Sequence, residues 1–178
     1  MKLNKIMLAA AMTFGMATAV QAADAGHGKV TFTGSIIDAP CSISPDSVDQ
    51  TVDLGQISNA ALAGGGRSTP RNFNIDLENC VFTGAAAKNK VSVTFTGMES
   101  ATTAGLLGIT GTARGASVAI TSGDGQIIKL GTPTKAQELQ NSPTQTLSFA
   151  AYVQGDAASA AITEGDFQSV ADFTLAYN

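Results

Sequence analysis

The sequence lacks the residues from which most catalytic sites are built. It has no tryptophan and one histidine, His27, in 178 residues. A Ser/His/Asp or Cys/His site needs a histidine held by a rigid surrounding structure, whereas His27 lies in a Gly- and Ala-rich lead. Asp124 lies between two glycines and predicts a turn, because no series of oxygen ligands follows at calcium-loop spacing. We therefore predict no catalytic, cofactor-binding or metal-ligating residues and no enzyme activity.

Positive charge is also scarce. Ten Lys and Arg residues stand against 14 Asp and Glu, giving a net charge of −4 at pH 7. A protein that binds a phosphate backbone needs clustered Lys and Arg. Nucleic acid is therefore excluded as an expected partner, and the scattered acidic residues indicate solubility.

Long hydrophobic runs are absent after the first 22 residues. Those residues combine Lys2 and Lys5 with an apolar stretch at 6–20 and the small-residue sequence Val20-Gln21-Ala22. A membrane anchor needs about 20 unbroken apolar residues, and this stretch is shorter and ends at Gln21. The pattern predicts a signal peptide over residues 1–22, cleaved on export.

Cysteine is limited to Cys41 and Cys80. A lone pair in an exported chain most simply forms one disulfide. A redox or metal-binding pair would need CxxC spacing or a nearby histidine, and the chain has neither. The bond would close a loop of roughly 40 residues and stabilise the fold by about 3–4 kcal/mol.

What the sequence does contain is repeated two-residue alternation between apolar and polar positions. It indicates strands at 73–77, 91–95, 118–120, 127–130, 147–153 and 167–177, with a short strand begun by Val52 and Leu54. Gly123-Asp124-Gly125 predicts a hairpin turn. No helix is expected beyond the signal peptide, and residues 102–112 have no assignment. Short strands separated by Gly-rich turns predict an antiparallel β sandwich.

Residues 28–37 form a further strand-like segment just before Cys41. Val30, Phe32, Gly34 and Ile36 share one face at period-two spacing. On the residues alone, the simpler interpretation is the first strand of the protein's own sandwich. The other is a strand for a groove in another molecule, since an exposed apolar strand is an aggregation hazard without a groove to enter.

The chain resembles a chaperone–usher fimbrial major subunit (pilin), in the branch that includes P-pilus and mannose-resistant Proteus-like fimbriae. The resemblance is densest at 28–43 (GKVTFTGSIIDAPCSI) and at Leu54-Gly55-Gln56. It continues through the second cysteine after the alternating residues 73–79, and ends with a glycine fourteenth from the C-terminus, Gly165, and a penultimate tyrosine, Tyr177.

The resemblance implies an all-β, incomplete immunoglobulin-like sandwich that lacks its last strand and is completed by a donor strand from the neighbouring subunit. It implies a signal peptide at 1–22, a donor extension at 23–38 and a pilin domain at 39–178. The expected donor residues are Val30, Phe32, Gly34 and Ile36. The last strand is expected to face the groove and a chaperone through Gly165, Phe173, Leu175 and Tyr177.

The implied function is that of a structural rod subunit, exported through the periplasm and assembled in a fimbrium on the bacterial surface. The expected partners are identical subunits in a helical polymer, a periplasmic chaperone, an outer-membrane usher, and other fimbrial subunits including a tip adhesin. Two alternatives remain open at this point: a minor adaptor or terminator pilin, and a secreted carbohydrate-binding module.

Overall fold

The computed structural model describes residues 26–83, 88–157 and 161–178. The predicted signal peptide lies outside the described residues. The chain divides into two units, Met1–Ile36 and Ile37–Asn178. The described part of the first, residues 26–36, contains neither helix nor strand. Among the described residues, no helix has the length and apolar character needed to cross a membrane.

The second unit is built mainly from strands. In chain order these are β1 (Ser42–Ile43), β2 (Arg71–Glu78), β3 (Lys90–Gly97), β4 (Leu107–Gly108), β5 (Thr110–Gly111), β6 (Ala116–Ser122), β7 (Ile127–Ile128), β8 (Gln137–Glu138), β9 (Gln145–Gly155), β10 (Phe167–Gln168) and β11 (Ala171–Tyr177). Two one-turn helices, α1 (Pro45–Val48) and α2 (Asn59–Leu62), and a 3₁₀ turn at Ala63–Gly65 lie between β1 and β2.

The strands form antiparallel sheets. The largest has the order β1-β2-β9-β6-β4, with β7 also paired to β6, and the second has the order β11-β3-β8. β10 pairs with β5 in a small third sheet. Long ladders hold the two main sheets: β2 pairs with β9 from Arg71↔Ala151 to Leu77↔Gln145, and β3 pairs with β11 along its whole length. The predicted antiparallel β fold is therefore confirmed.

The core lies between the inner faces of the two main sheets. Ile75 and Phe149 of the first sheet and Val93 and Phe95 of the second belong to one buried cluster. These are the apolar positions of the alternating segments, so the pattern that predicts the strands also identifies the inner faces. Burial of such side chains contributes roughly 1.5–3 kcal/mol each.

Two local expectations are wrong. Residues 52–54 form no strand: the Gly55 N–H donates to Asp53 Oδ1 at 2.8 Å, so this stretch is a local turn, although Leu54 packs against the core. The chain also has helices where none is expected. α1 begins with Pro45, whose fixed φ suits the first helical turn. A single turn is too short to show helical periodicity in the sequence.

The predicted hairpin is confirmed, because β6 and β7 pair through Ile120↔Ile128 and Thr121↔Ile127. Its turn closes with the Gly125 N–H donating to the Ser122 carbonyl at 2.8 Å, and Gly125 has a φ of 81°. The unassigned residues 102–112 form a loop followed by β4 and β5.

The predicted strand at 167–177 is interrupted. β10 pairs with β5, and β11 pairs with β3, with residues 169–170 between them. Alternation cannot reveal such an interruption, because the side chains keep the same phase through it.

Candidate functional site at the open edge of the last strand

β11 is the edge strand of the second sheet. It pairs with β3 over seven residues, from Ala171↔Gly97 to Tyr177↔Val91. Among the described residues, no strand pairs with its other side. An unpaired edge presents backbone donors and acceptors that another strand can use.

The hydrogen-bond phase identifies which residues present these groups. The Asn178 N–H donates to the Lys90 carbonyl at 2.9 Å, and the Lys90 N–H donates to the Asn178 carbonyl at 3.1 Å. Antiparallel pairs alternate between bonded and non-bonded positions. The even-numbered residues of β11 therefore bond to β3, and the backbone groups of the odd-numbered residues face the open side: Ala171, Phe173, Leu175 and Tyr177.

The hydrogen bonds that β3 makes on its side away from β11 confirm which residues of β11 face the open edge. The Val93 N–H donates to Thr134 Oγ1 at 2.9 Å, and the Val93 carbonyl accepts from the Thr134 N–H at 2.8 Å. Val93 lies opposite Leu175. Since Val93 directs its backbone groups away from β11, Leu175 directs its own away from β3.

Side-chain burial falls sharply between β3 and β11. Val91, Val93 and Phe95 are 0–2% exposed, whereas their partners Tyr177, Leu175 and Phe173 are only half-buried. These partners pack against the core cluster without being covered by it. The core is thus open along the edge of β11, and we call this region the groove: the free edge of β11 with the half-buried side chains of Ala171, Phe173, Leu175 and Tyr177.

An aromatic cluster adjoins the groove. The ring centroid of Phe95 lies 5.2 Å from that of Phe149, 6.3 Å from that of Phe73 and 6.4 Å from that of Phe173. Phe95 and Phe149 are buried, whereas Phe73 and Phe173 are half-buried. The sequence predicts that these residues face inward, but it gives no signal that their rings meet.

Tyr177 has a polar atom without a partner. Its Oη is covered by protein and has no hydrogen-bond partner among the described residues. Desolvation raises the pKa of Tyr177 above its ordinary value. Its hydroxyl is therefore kept neutral, as a donor that finds no acceptor among the residues that the structure describes.

Gly165 lies outside β11. It precedes β10, has a φ of 150°, and lies so close to Thr112 that a Cβ would be 2.2 Å from Thr112 Oγ1. The structure therefore brings Phe173, Leu175 and Tyr177 together in the groove but places Gly165 against the loop that follows β5.

The predicted donor residues are exposed. Val30 is 73% exposed, Phe32 90% and Ile36 103%, and a Cβ on Gly34 would meet nothing within 4 Å. Most of the surface of each of these three apolar side chains is available for contact with another molecule. Burying them would release the hydrophobic free energy that their exposure now costs.

The predicted disulfide is confirmed. Cys41 and Cys80 are bonded, with their Cα atoms 4.1 Å apart. The bond is buried, and the adjacent Val81 N–H donates to the Pro40 carbonyl at 2.9 Å. It fixes the start of β1 to the end of β2, immediately after residues 28–37.

A separate concavity of about 790 Å³ lies beside the β6–β7 hairpin. Its lining includes Asp124, Lys129 and Lys135. The Ser122 hydroxyl and the Gln126 N–H donate to Asp124 and lower the pKa of its carboxyl group, which fits a turn residue. Within the described residues, no group of three or more His, Cys, Asp or Glu could hold a metal ion.

Comparison with known proteins assigns the family. The model of the fimbrial protein family matches residues 30–178. The chain is 59% identical to the Fimbria A protein of Serratia marcescens and 51% identical to the major MR/P fimbria protein of Proteus mirabilis, in each case with 99% of both chains covered.

Solved structures agree. A chain in the structure of a chaperone–usher pilus matches with a TM-score of 0.74 and 36% identity, covering 86% of this chain and 97% of that one. The crystal structure of the P pilus rod subunit PapA matches with a TM-score of 0.69 and 35% identity, covering 79% and 100%. The immunoglobulin-like pilin fold is thereby confirmed. The chain belongs to the fimbrial protein family: it is a structural pilin, not an enzyme, and is exported and assembled into surface fimbriae.

Proposed function

We propose that this protein is the major rod subunit of a chaperone–usher fimbria and that its subunits join by donor-strand exchange. Residues 28–37 of one copy add to the free edge of β11 in the next copy. The observation that supports this most directly is the phase of β11: the residues with free backbone groups are also those with half-buried, inward side chains. One added strand would pair these backbone groups and cover these side chains.

The backbone of the donor supplies the affinity. Ala171, Phe173, Leu175 and Tyr177 each offer an N–H and a carbonyl to the open side. Strand addition to an exposed edge is a known recognition mode, of which chaperone–pilin complementation is itself an example. Residues 28–37 contain no proline, so each of them has a backbone N–H that can donate a hydrogen bond.

The side chains of the donor fix its position. Val30, Phe32 and Ile36 would cover the groove at alternate positions, and each contributes roughly 1.5–3 kcal/mol if fully buried. Gly34 shares their face but brings no side chain, which allows close backbone approach. A one-residue slip would turn all four positions to solvent, so the alternation specifies the register strongly.

The free edge of β11 also explains why the subunit would need a chaperone and an usher. Before assembly, the groove exposes apolar side chains and unpaired backbone groups, which makes the subunit prone to aggregate. A periplasmic chaperone would occupy the groove at Phe173, Leu175 and Tyr177, with Gly165 as a further contact, until the next subunit replaces it at the usher. The similarity to a subunit of a solved chaperone–usher pilus supports this pathway.

The rod assignment is preferred over a minor subunit because both parts of the exchange are present. A terminator needs no exchangeable donor, whereas residues 28–37 keep the alternating face and are exposed. The name of the relative at 51% identity, the major MR/P fimbria protein of Proteus mirabilis, favours the same choice. A carbohydrate-binding module would leave the open core edge without explanation.

A strand-transfer experiment tests the proposal. Residues 23–38 are deleted from the N-terminal side and appended after Asn178 through a short flexible linker, giving the tethered-donor variant. Its unfolding in guanidinium is compared with that of the deletion alone. We expect a monomer that resists denaturant from the first and an unstable or aggregating chain from the second. Equal stability of the two would show that the sandwich is complete without a donor.

A further inference from the structure

Apart from the expected donor residues, six large apolar side chains of the described residues are exposed outside the groove: Val48, Val81, Ile127, Ile37, Met98 and Val170. Val170 is 63% exposed, Ile37 61% and Met98 54%. Single exposed apolar residues are common on protein surfaces, so exposure alone has no significance. The positions of Ile37, Met98 and Val170, however, are related.

Val170 directly precedes β11 and Met98 directly follows β3, at the end of the second sheet. Ala171 lies opposite Gly97, and the Val170 carbonyl oxygen is 2.6 Å from the position of a Cβ on Gly97. Ala171 and Gly97 share the inward phase of Phe173 and Phe95. Continued one residue past the end of each strand, this alternation gives Val170 and Met98 the outward phase, which agrees with the exposure of both side chains.

Gly108 fixes this end of the sheet. Its N–H donates to the Met98 carbonyl at 2.8 Å, and its own carbonyl accepts from Ser169 Oγ at 2.8 Å. Met98 and the residue that precedes Val170 are therefore both hydrogen-bonded to one residue of β4, which ties this end of β3 to the segment that leads into β11.

The rest of the outer face of the second sheet, beyond Val170 and Met98, is polar or small. The outward residues of β11 and β3 beyond this pair are Asp172, Thr174, Ala176, Lys90, Ser92, Thr94 and Thr96. The proposed donor has the same pattern: its outward residues Lys29, Thr31, Thr33 and Ser35 are polar, and the next one, Ile37, is apolar. Each strand thus has a polar outer face that becomes apolar at one end.

One antiparallel register brings the apolar end of the donor, Ile37, to the apolar end of β11. The four inward donor positions from Val30 to Ile36 cover the four inward positions of β11 completely when the strands are antiparallel, with Val30 opposite Tyr177 and Ile36 opposite Ala171. Ile37 then lies opposite Val170. A shift of two residues would place Ile37 against Asp172 or Gln168, and a parallel donor would carry it to the Asn178 end.

We propose that Ile37 of one subunit packs on Val170 and Met98 of the next, forming an outer clasp (these three residues) that sets the register and direction of the donor strand. The inference rests on the proposed donor-strand exchange. Ile37 is four residues from the disulfide-bonded Cys41, at most about 14 Å along the chain. The outer clasp therefore also holds the neighbouring domain close to the end of the groove.

Cysteine cross-linking of assembled fimbriae tests the outer clasp. Outward residues form non-hydrogen-bonded pairs in this arrangement, with Cα atoms about 4.5 Å apart, which suits a disulfide. The native cysteines are already paired, so they leave no free thiol. The double variant Ile37→Cys/Val170→Cys is compared with Ile37→Cys/Asp172→Cys and with each single variant on non-reducing gels.

We expect a ladder of covalent oligomers from the 37/170 pair that collapses on reduction, and none from the 37/172 pair. A ladder from 37/172 instead, or normal fimbriae without a 37/170 ladder, would overturn the outer clasp. Donor-strand exchange would survive that result, because the tethered-donor experiment has a readout independent of these contacts.

A second measurement avoids cysteine. Ile37→Thr and Val170→Thr should each raise the rate at which fimbriae dissociate in denaturant by about two- to fivefold, the effect of one apolar cross-strand pair. Thr96→Ser, on the same outer face but away from the donor, serves as the control. Dissociation rates equal to that of the control would also refute the outer clasp.

Discussion

Gly165 holds a backbone conformation that is costly for any residue with a side chain. Its φ is 150°, and a Cβ would lie 2.8 Å from the Ala113 nitrogen, a backbone atom that cannot easily move. Such conformations cost about 1–3 kcal/mol when a side chain must adopt them. At the scale of the residue, a local structural need thus accounts for this glycine without any partner.

This account predicts that Gly165→Ala destabilises the domain itself. The tethered-donor variant should lose about 1–3 kcal/mol of unfolding free energy, measured in guanidinium. Gly123→Ala is the matched control, because Gly123 has an ordinary φ and a Cβ there would lie 3.4 Å from the Ser148 carbonyl. If Gly165 serves only to contact a chaperone, its substitution would leave this stability unchanged.

Tyr177 leads to a prediction on pH. Desolvation raises its pKa in the folded chain above the ordinary 10.0. Its contribution to stability is therefore complete below about pH 10 and is lost as the pH rises through the folded pKa, because the unfolded chain ionises first. The Tyr177→Phe variant cannot ionise at this position.

We expect the tethered-donor variant to lose stability between pH 9 and pH 11 by more than its Tyr177→Phe form does. Other alkaline effects are common to both chains, so the difference between their guanidinium midpoints isolates Tyr177. At pH 7, Tyr177→Phe should be as stable as the parent or more so, since a covered hydroxyl without a partner is removed. If the guanidinium midpoints of the two chains fell equally with pH, the raised pKa of Tyr177 would be contradicted.

At the scale of the element, the proposed donor and β11 would be complementary in size. In the antiparallel arrangement Gly34 lies opposite Phe173, whose half-buried ring is 6.4 Å from that of Phe95. A ring needs room that a donor side chain at position 34 would occupy. The missing side chain in one strand would thus match the large side chain in the other.

A double-mutant cycle tests this pairing in the tethered-donor variant. Gly34→Leu should destabilise by about 1–3 kcal/mol through overpacking. In a background carrying Phe173→Ala, the same substitution should cost at least 1 kcal/mol less, because the space is then free. Unfolding in guanidinium measures each chain, and equal costs in the two backgrounds would show that the residues are not neighbours.

The sequence predicts β2, β11 and the first half of β9 well because buried or half-buried residues alternate there with exposed ones. Ile75 and Phe149 stand at alternating positions, and alternation is the direct consequence of that burial. It cannot predict that residues 52–54 form a turn or that residues 169–170 interrupt the last strand, since local hydrogen bonds decide both. Nor can it show that the edge of β11 is open, because that depends on the absence of a partner strand.

For the whole molecule, the proposed donor-strand exchange would make the contact between subunits heterologous. Residues 28–37 and the groove are different surfaces, so each copy has one of each and the chain of contacts does not close. The product of such an exchange would be an open filament whose length has no internal limit. Removal of either surface from a fraction of the subunits should therefore limit that length.

Under the proposed exchange, a subunit lacking residues 23–38 would keep its groove and could accept a donor but could not supply one. Coexpressed with the full-length protein, it should cap filaments, and their mean length by electron microscopy should fall in inverse proportion to its share. The tethered-donor variant, with its groove filled and no free extension, should leave length unchanged at the same share. Equal shortening by both would mean that the subunits join through surfaces other than the groove and the donor, because only the first offers a vacant edge of β11.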